Sequence, residues 1–97
     1  MIDHLVLFTL KEGTSQDDEE DVISTFRELR GKIPNFLDFS IGKNFSERSR
    51  GYTHGLFARF QTRDDLEAYL KHPGHLSAVK KLEALQEGER VVVDYEF

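Results

Sequence analysis

Residues 2–10 carry apolar side chains in both parities. Ile2, His4, Val6, Phe8 and Leu10 share one, and Asp3, Leu5, Leu7 and Thr9 share the other. Alternate side chains of an extended chain leave on opposite faces, so this stretch predicts a strand covered on both sides in its middle. The same period predicts strands over 36–44, 52–61 and 90–97. In the second of these four strands, Leu37, Phe39 and Ile41 alternate with Asp38, Ser40 and Gly42, which leaves one polar face. In the third, Tyr52, His54, Leu56, Ala58 and Phe60 oppose Thr53, Gly55, Phe57 and Arg59. In the last, Val91, Val93 and Tyr95 oppose Val92, Asp94 and Glu96.

Between these strands the period becomes helical. Thr14-Ser15 offers an N-cap with Asp17 and Asp18 following, and the acidic run 16–21 suits the positive end of a helix dipole. The run lacks the ligand spacing of a calcium loop. Val22, Ile23, Phe26, Leu29 and Ile33 form a stripe that Gly31 and Pro34 bring to an end. Thr62, with Asp65 three residues on, caps a second helical region whose inner face is Leu66, Tyr69 and Leu70. His72-Pro73-Gly74-His75 interrupts it, because proline disfavours helical geometry in the residue before it. The helix resumes through Leu76, Val79, Leu82 and Leu85 and ends at Gly88.

The order is β-α-β-β-α-β over 1–97, expected as one domain. Two β-α-β halves with right-handed crossovers give an α+β, ferredoxin-like arrangement: a four-stranded antiparallel sheet, the first strand between the third and fourth, both helices on one face. If the helices cover His4, Leu56 and Val92, the opposite face carries Leu5, Leu7, Phe57, Val91, Val93 and Tyr95. Six such groups, at about 1.5–3 kcal/mol each when fully buried, are a large patch to leave in water. Back-to-back pairing of two sheets removes it, so a homodimer through the open sheet face is expected.

Composition narrows the function classes. Eight Phe and three Tyr in 97 residues suffice for one core. With no cysteine there is no disulfide, thiolate metal site or cysteine nucleophile. The net charge of −5 opposes nucleic acid or an anionic membrane as partner, and Lys43, Arg48 and Arg50 read as a solvated loop. No apolar run reaches the ~20 residues of a membrane span, and no signal peptide is visible, so a cytoplasmic protein is expected.

The polar residues with chemical potential are His4, His54, His72, His75, Tyr69 and Asp94. The parities of His4, His54 and Asp94 allow them to gather on the helix side. The break at 72–75 leaves a gap beside the sheet, which is where a pocket is expected. Three readings compete. The histidines are half-buried hydrogen-bonding residues that tie helix to sheet; or His72 and His75, with His4 or His54, hold a metal, against which Pro73 and the absence of an HExxH pattern argue; or the gap is a small-molecule pocket. In the last, His75 is a base, Asp94 orients its other ring nitrogen, and Tyr69 donates to a carbonyl oxygen. Its walls are Val6, Phe26, Leu56, Tyr69, Leu70 and Val92. No nucleophile stands beside this set, and neither a metal nor an organic cofactor is expected.

Ile2-Asp3-His4-Leu5-Val6-Leu7-Phe8, Gly42-Lys43-Asn44, Gly51-Tyr52-Thr53-His54, Tyr69-Leu70-Lys71-His72-Pro73-Gly74-His75 and Val92-Val93-Asp94-Tyr95 together resemble the stress-responsive A/B barrel domain family, in order and over essentially the whole chain. The resemblance implies a ferredoxin-like protomer paired sheet to sheet as an α+β barrel. Most members have no assigned reaction, and several are stress-induced stable proteins, which implies a structural or binding role as the alternative to catalysis. One plant member is a cofactor-free polyketide cyclase. The matching positions here are His75 as base, Tyr69 and Asp94, with His4 and His54 as pocket residues. Phe26 replaces a tyrosine of that cyclase's wall, and Gly74 stands where alanine is usual.

Overall fold

A computed structural model describes residues 1–97. Its elements are β1 (Ile2–Phe8), α1 (Gln16–Lys32), β2 (Asp38–Lys43), β3 (His54–Phe60), α2 (Arg63–Lys71), α3 (Pro73–Leu85) and β4 (Val91–Glu96). The sheet order is β2-β3-β1-β4, and every neighbouring pair is antiparallel. This is the expected ferredoxin-like sheet, with one more helix: the order is β-α-β-β-α-α-β.

The extra helix comes from the break at 72–73. His72 is extended (φ −64, ψ 136) and serves as C-cap of α2 and N-cap of α3. Pro73 then occupies the first turn of α3, where a missing N–H costs nothing. The helix starts also follow the sequence. Ser15 Oγ accepts from the Asp18 N–H at 3.1 Å, and Thr62 Oγ1 accepts from the Asp65 N–H at 3.2 Å. Gly31 lies inside α1 instead of ending it; Ile33 is the C-cap, its N–H bonded to the Leu29 carbonyl, and Pro34 follows.

The strands are shorter than their alternation suggests. Residues 9 and 10 leave the sheet because the end of α3 competes for their backbone. The Glu87 N–H donates to the Thr9 carbonyl, and Leu10 forms an isolated bridge with Gln86.

Register fixes the two faces. Val6 lies opposite Leu56 and Val92, and His4 opposite Ala58 and Asp94. Their side is the helix side, where Ile2, Val6, Phe8, Leu56, Phe60 and Tyr69 belong to one buried cluster. On the other side, Leu5 lies between Phe57 and Val93, and Leu7 between Gly55 and Val91. Leu7, Val91, Val93 and Tyr95 are exposed there in the isolated chain. One end of this back face is polar: Arg59 forks onto buried Asp3 (2.6 and 2.9 Å), and the Tyr95 hydroxyl donates to the same carboxylate at 3.1 Å.

The expectation that the helices cover Val92 is corrected. Val92 is 50% exposed although it shares the face of Val6. The helices pack over β1, β2 and β3; α2 meets β4 through the Arg63–Glu96 pair (3.0 Å), and this edge strand is exposed along its whole length.

Candidate functional site

A small cavity lies between the sheet and α3. Its polar lining is His4 from β1, Tyr69 from α2, His75 from α3, and Arg90 just before β4. Its apolar lining is Val6, Phe8, Phe26, Leu56, Val79 and Leu82. The volume is about 30 Å³, about one water molecule.

Tyr69 is fixed by an aromatic cage. Its ring lies 5.2 Å from Phe36, 5.4 Å from Phe60, 4.4 Å from His75 and 5.9 Å from His4. Only 1% of the residue is exposed, and its hydroxyl has no hydrogen-bond partner. Burial pushes the phenol's pKa well above its usual value, so it is a proton donor at neutral pH.

His75 is set by the helix break. Its Nδ1–H donates to the Leu70 carbonyl at 3.0 Å, an acceptor that α2 leaves free in its last turn. This hydrogen bond selects the tautomer whose Nε2 lone pair is available. Burial lowers the imidazole's pKa against the opposing hydrogen bond to Leu70, and His4 and Arg90 add smaller lowering contributions. His75 is therefore neutral at pH 7 and competent to accept a proton.

His4 is buried with its Nδ1 2.5 Å from Asp94 Oδ1, across the β1–β4 register. Its Nε2 has no protein partner. The sequence reading gave Asp94 to His75 as orienting group; the structure gives it to His4, and a backbone carbonyl orients His75. Asp94 does not line the cavity but faces an outer hollow of about 240 Å³ beside Arg63, Leu66 and Glu67.

His54 lies elsewhere. Both it and His4 stand near the start of their strands, but antiparallel pairing sends equal positions to opposite ends of the sheet. His54 pairs with Phe8 while His4 pairs with Ala58, which separates them by about 13 Å at ~3.3 Å per residue. His54 has both nitrogens engaged, Nε2 with Glu19 (2.8 Å) and Nδ1 with the Thr53 hydroxyl (2.7 Å), and it stacks on Phe8. Lys43 reaches the other oxygen of Glu19 at 3.2 Å. Burial lowers the His54 pKa against the pull of Glu19.

His72 is also structural: its Nδ1 accepts from the Gly74 N–H at 3.0 Å. Leu70 contributes its carbonyl, not its side chain, and Val92 is outside the lining. No group of three or more potential metal ligands is gathered anywhere. Phe8, Val79 and Leu82 were visible as members of buried stripes. Arg90 stood at the start of the strand expected over 90–97, and a lone arginine at a strand's first position carries no signal of a pocket.

Residues 2–97 match the profile of the Stress responsive A/B Barrel Domain, or Dabb. An uncharacterized protein of Streptomyces coelicolor is 32% identical over 99 residues, covering 100% of both chains. Olivetolic acid cyclase of Cannabis sativa is 26% identical over 77 residues, 77% of this chain and 76% of the cyclase. A solved structure from Bacteroides fragilis, described as a dimeric protein with a ferredoxin-like fold, superposes with a TM-score of 0.79 at 31% identity and covers 99% of this chain and 95% of that one. The chain belongs to the stress-responsive A/B barrel domain family.

Proposed function

We propose that this chain binds a small, largely apolar carbonyl compound in the cavity between sheet and α3, and moves a proton on it without a cofactor. One observation carries this reading: the buried Tyr69 hydroxyl lacks a partner inside a cavity flanked by two imidazoles. Such a group costs about 1–3 kcal/mol unless a water or ligand oxygen meets it. A carbonyl oxygen accepting from Tyr69 would place its neighbouring carbon near the imidazoles. His75 Nε2 takes a proton from that carbon; the C–H electron pair becomes an enolate whose oxygen Tyr69 holds. In a β,γ-unsaturated compound, return of the proton to the γ-carbon is an isomerisation. Attack of the enolate carbon on a second carbonyl carbon of the same molecule breaks that C=O π bond and closes a ring, and the resulting alkoxide takes the proton back from the His75 imidazolium. His4, held by Asp94, is the second proton-handling group. The similarity to olivetolic acid cyclase supports this class of chemistry.

A volume of about 30 Å³ favours the non-catalytic alternative, in which the domain serves stability or binding. Catalysis on a larger compound requires the cavity to enlarge at α3, which supplies His75, Val79 and Leu82 to the wall. Exchange of α-protons for deuterium in small ketones, followed by NMR, separates the readings. The wild type should accelerate exchange, and His75→Ala should reduce the rate by about 10²–10⁴ with the fold intact. Equal rates for the two proteins remove His75 as the base.

The reading extends to the assembly. A second copy of the chain covers the open sheet face, with Leu5, Leu7, Phe57, Val91, Val93 and Tyr95 against their symmetry mates. The dimeric description of the Bacteroides fragilis relative supports it.

A further inference from the structure

Of the ten residues that line the cavity, Arg90 alone carries a fixed charge. The chain as a whole has a net charge of −5, yet no carboxylate lines this space. The nearest acids are held outside it. Asp94 sits behind His4, and Glu83, on α3, reaches Arg90 only at 3.5 Å. Arg90 Nη1 also donates to Gln86 Oε1 at 3.1 Å, while Nε and Nη2 make no hydrogen bond to the protein. A guanidinium has five donors in a planar fork that matches a carboxylate, so this side chain is anchored by one nitrogen and keeps the others for a ligand.

We infer that the ligand is a small carboxylate that also bears a carbonyl group: its anionic end on Arg90, its hydrocarbon body against Phe8, Phe26, Leu56, Val79 and Leu82, and its carbonyl oxygen on Tyr69. This deepens the proposed function and rests on that cavity being the binding site and enlarging at α3 from the volume of about one water. Two independent features support it. The Tyr69 hydroxyl, buried without a protein partner, offers a donor to a carbonyl oxygen in the cavity its residue lines. At the end carrying Arg90, an anion gains a charge-assisted pair, whereas a cationic ligand would meet Arg90 with no acid in the lining to compensate. The positive charge also lowers the His75 pKa, so Arg90 helps keep the base unprotonated while it holds the substrate.

The test compares one acid with its neutral ester. 4-Methyl-2-oxopentanoate and its methyl ester are titrated into ¹⁵N-labelled wild type, Arg90→Gln, Arg90→Lys and Tyr69→Phe, and dissociation constants are read from shifts around His4, Tyr69 and His75. The wild type should bind the acid about tenfold or more tighter than the ester. Arg90→Gln should abolish that preference and leave the ester's affinity unchanged, Arg90→Lys should retain part of it, and Tyr69→Phe should weaken both compounds. Equal binding of acid and ester by the wild type, or an undiminished preference in Arg90→Gln, overturns the assignment to Arg90 while leaving the cavity as a site for neutral carbonyl compounds. Failure of both compounds to shift any cavity residue overturns the inference together with the reading on which it rests.

Discussion

A phenol enclosed by four rings and bonded to no other group of the chain leaves its hydroxyl for a water or a ligand. At Tyr69 that arrangement makes a signed prediction. Tyr69→Phe keeps the contacts with Phe36, Phe60, His4 and His75 and removes only the orphaned oxygen. In the ligand-free protein, where no protein group bonds the hydroxyl, the change should move stability by no more than about 1 kcal/mol in either direction in urea denaturation. A loss of more than about 1 kcal/mol means that the hydroxyl has a structural partner. The imidazoles set the pH dependence. Burial holds His54 and His75 below their ordinary 6.5, so the folded state binds fewer protons than the unfolded chain. Their contribution is complete above 6.5 and is lost as pH falls toward the folded-state values. Asp3 is held below its ordinary 3.8, chiefly by Arg59, so its contribution persists until pH falls below 3.8. The urea midpoint should therefore decline below pH 6.5 and decline again below 3.8. A level midpoint between those values contradicts the burial of both imidazoles. At this scale the sequence marked His4, Tyr69 and His75 through parity and the HPGH break. It could not assign partners: Asp94 serves His4 because register, which no single strand encodes, sets them opposite each other.

Element starts were legible where a side chain does the capping. Ser15 and Thr62 stand where their spacing to Asp18 and Asp65 places them. Element ends were not, because they depend on what the rest of the chain offers. The first strand stops at Phe8 since Thr9 and Leu10 pair with residues after α3, 77 or so positions away. The break in the second helical region is legible in Pro73, but its capping residue is unusual. An imidazole, not a hydroxyl or carboxylate, satisfies the Gly74 N–H. His72→Ala should destabilise the domain by about 0.5–2 kcal/mol, and His72→Asn should recover most of that loss, since asparagine caps well. Equal stabilities for His72→Ala and the wild type would show that the bond contributes nothing. Gly74 allows close packing at this break. A Cβ there would lie 3.2 Å from Leu29 Cδ2 and from His72 Nδ1, so α3 approaches α1 closely at this point.

Two of the exposed apolar regions of the whole molecule involve β4. Its Val91, Val93 and Tyr95 share the back face with Leu7, while Val92 is left bare on the helix side by the short reach of the helices. The first region was legible from alternation alone. The second was not, because alternation tells which face a residue takes and not how far a helix extends across it. A dimer formed on the back face places the Asp3–Arg59 pair at one end of the interface, where a buried charge pair would penalise a shifted register. Leu7→Asp should convert the protein to monomer or aggregate by light scattering, whereas a wild type that is monomeric at micromolar concentration contradicts the interface. The central claim concerns the cavity, and a high-resolution crystal structure at neutral pH tests it most directly. It should show a water or ligand oxygen within hydrogen-bonding distance of Tyr69 Oη and of an Nε2 of His4 or His75. A dry cavity, or a Tyr69 hydroxyl bonded to another protein group, would contradict the account.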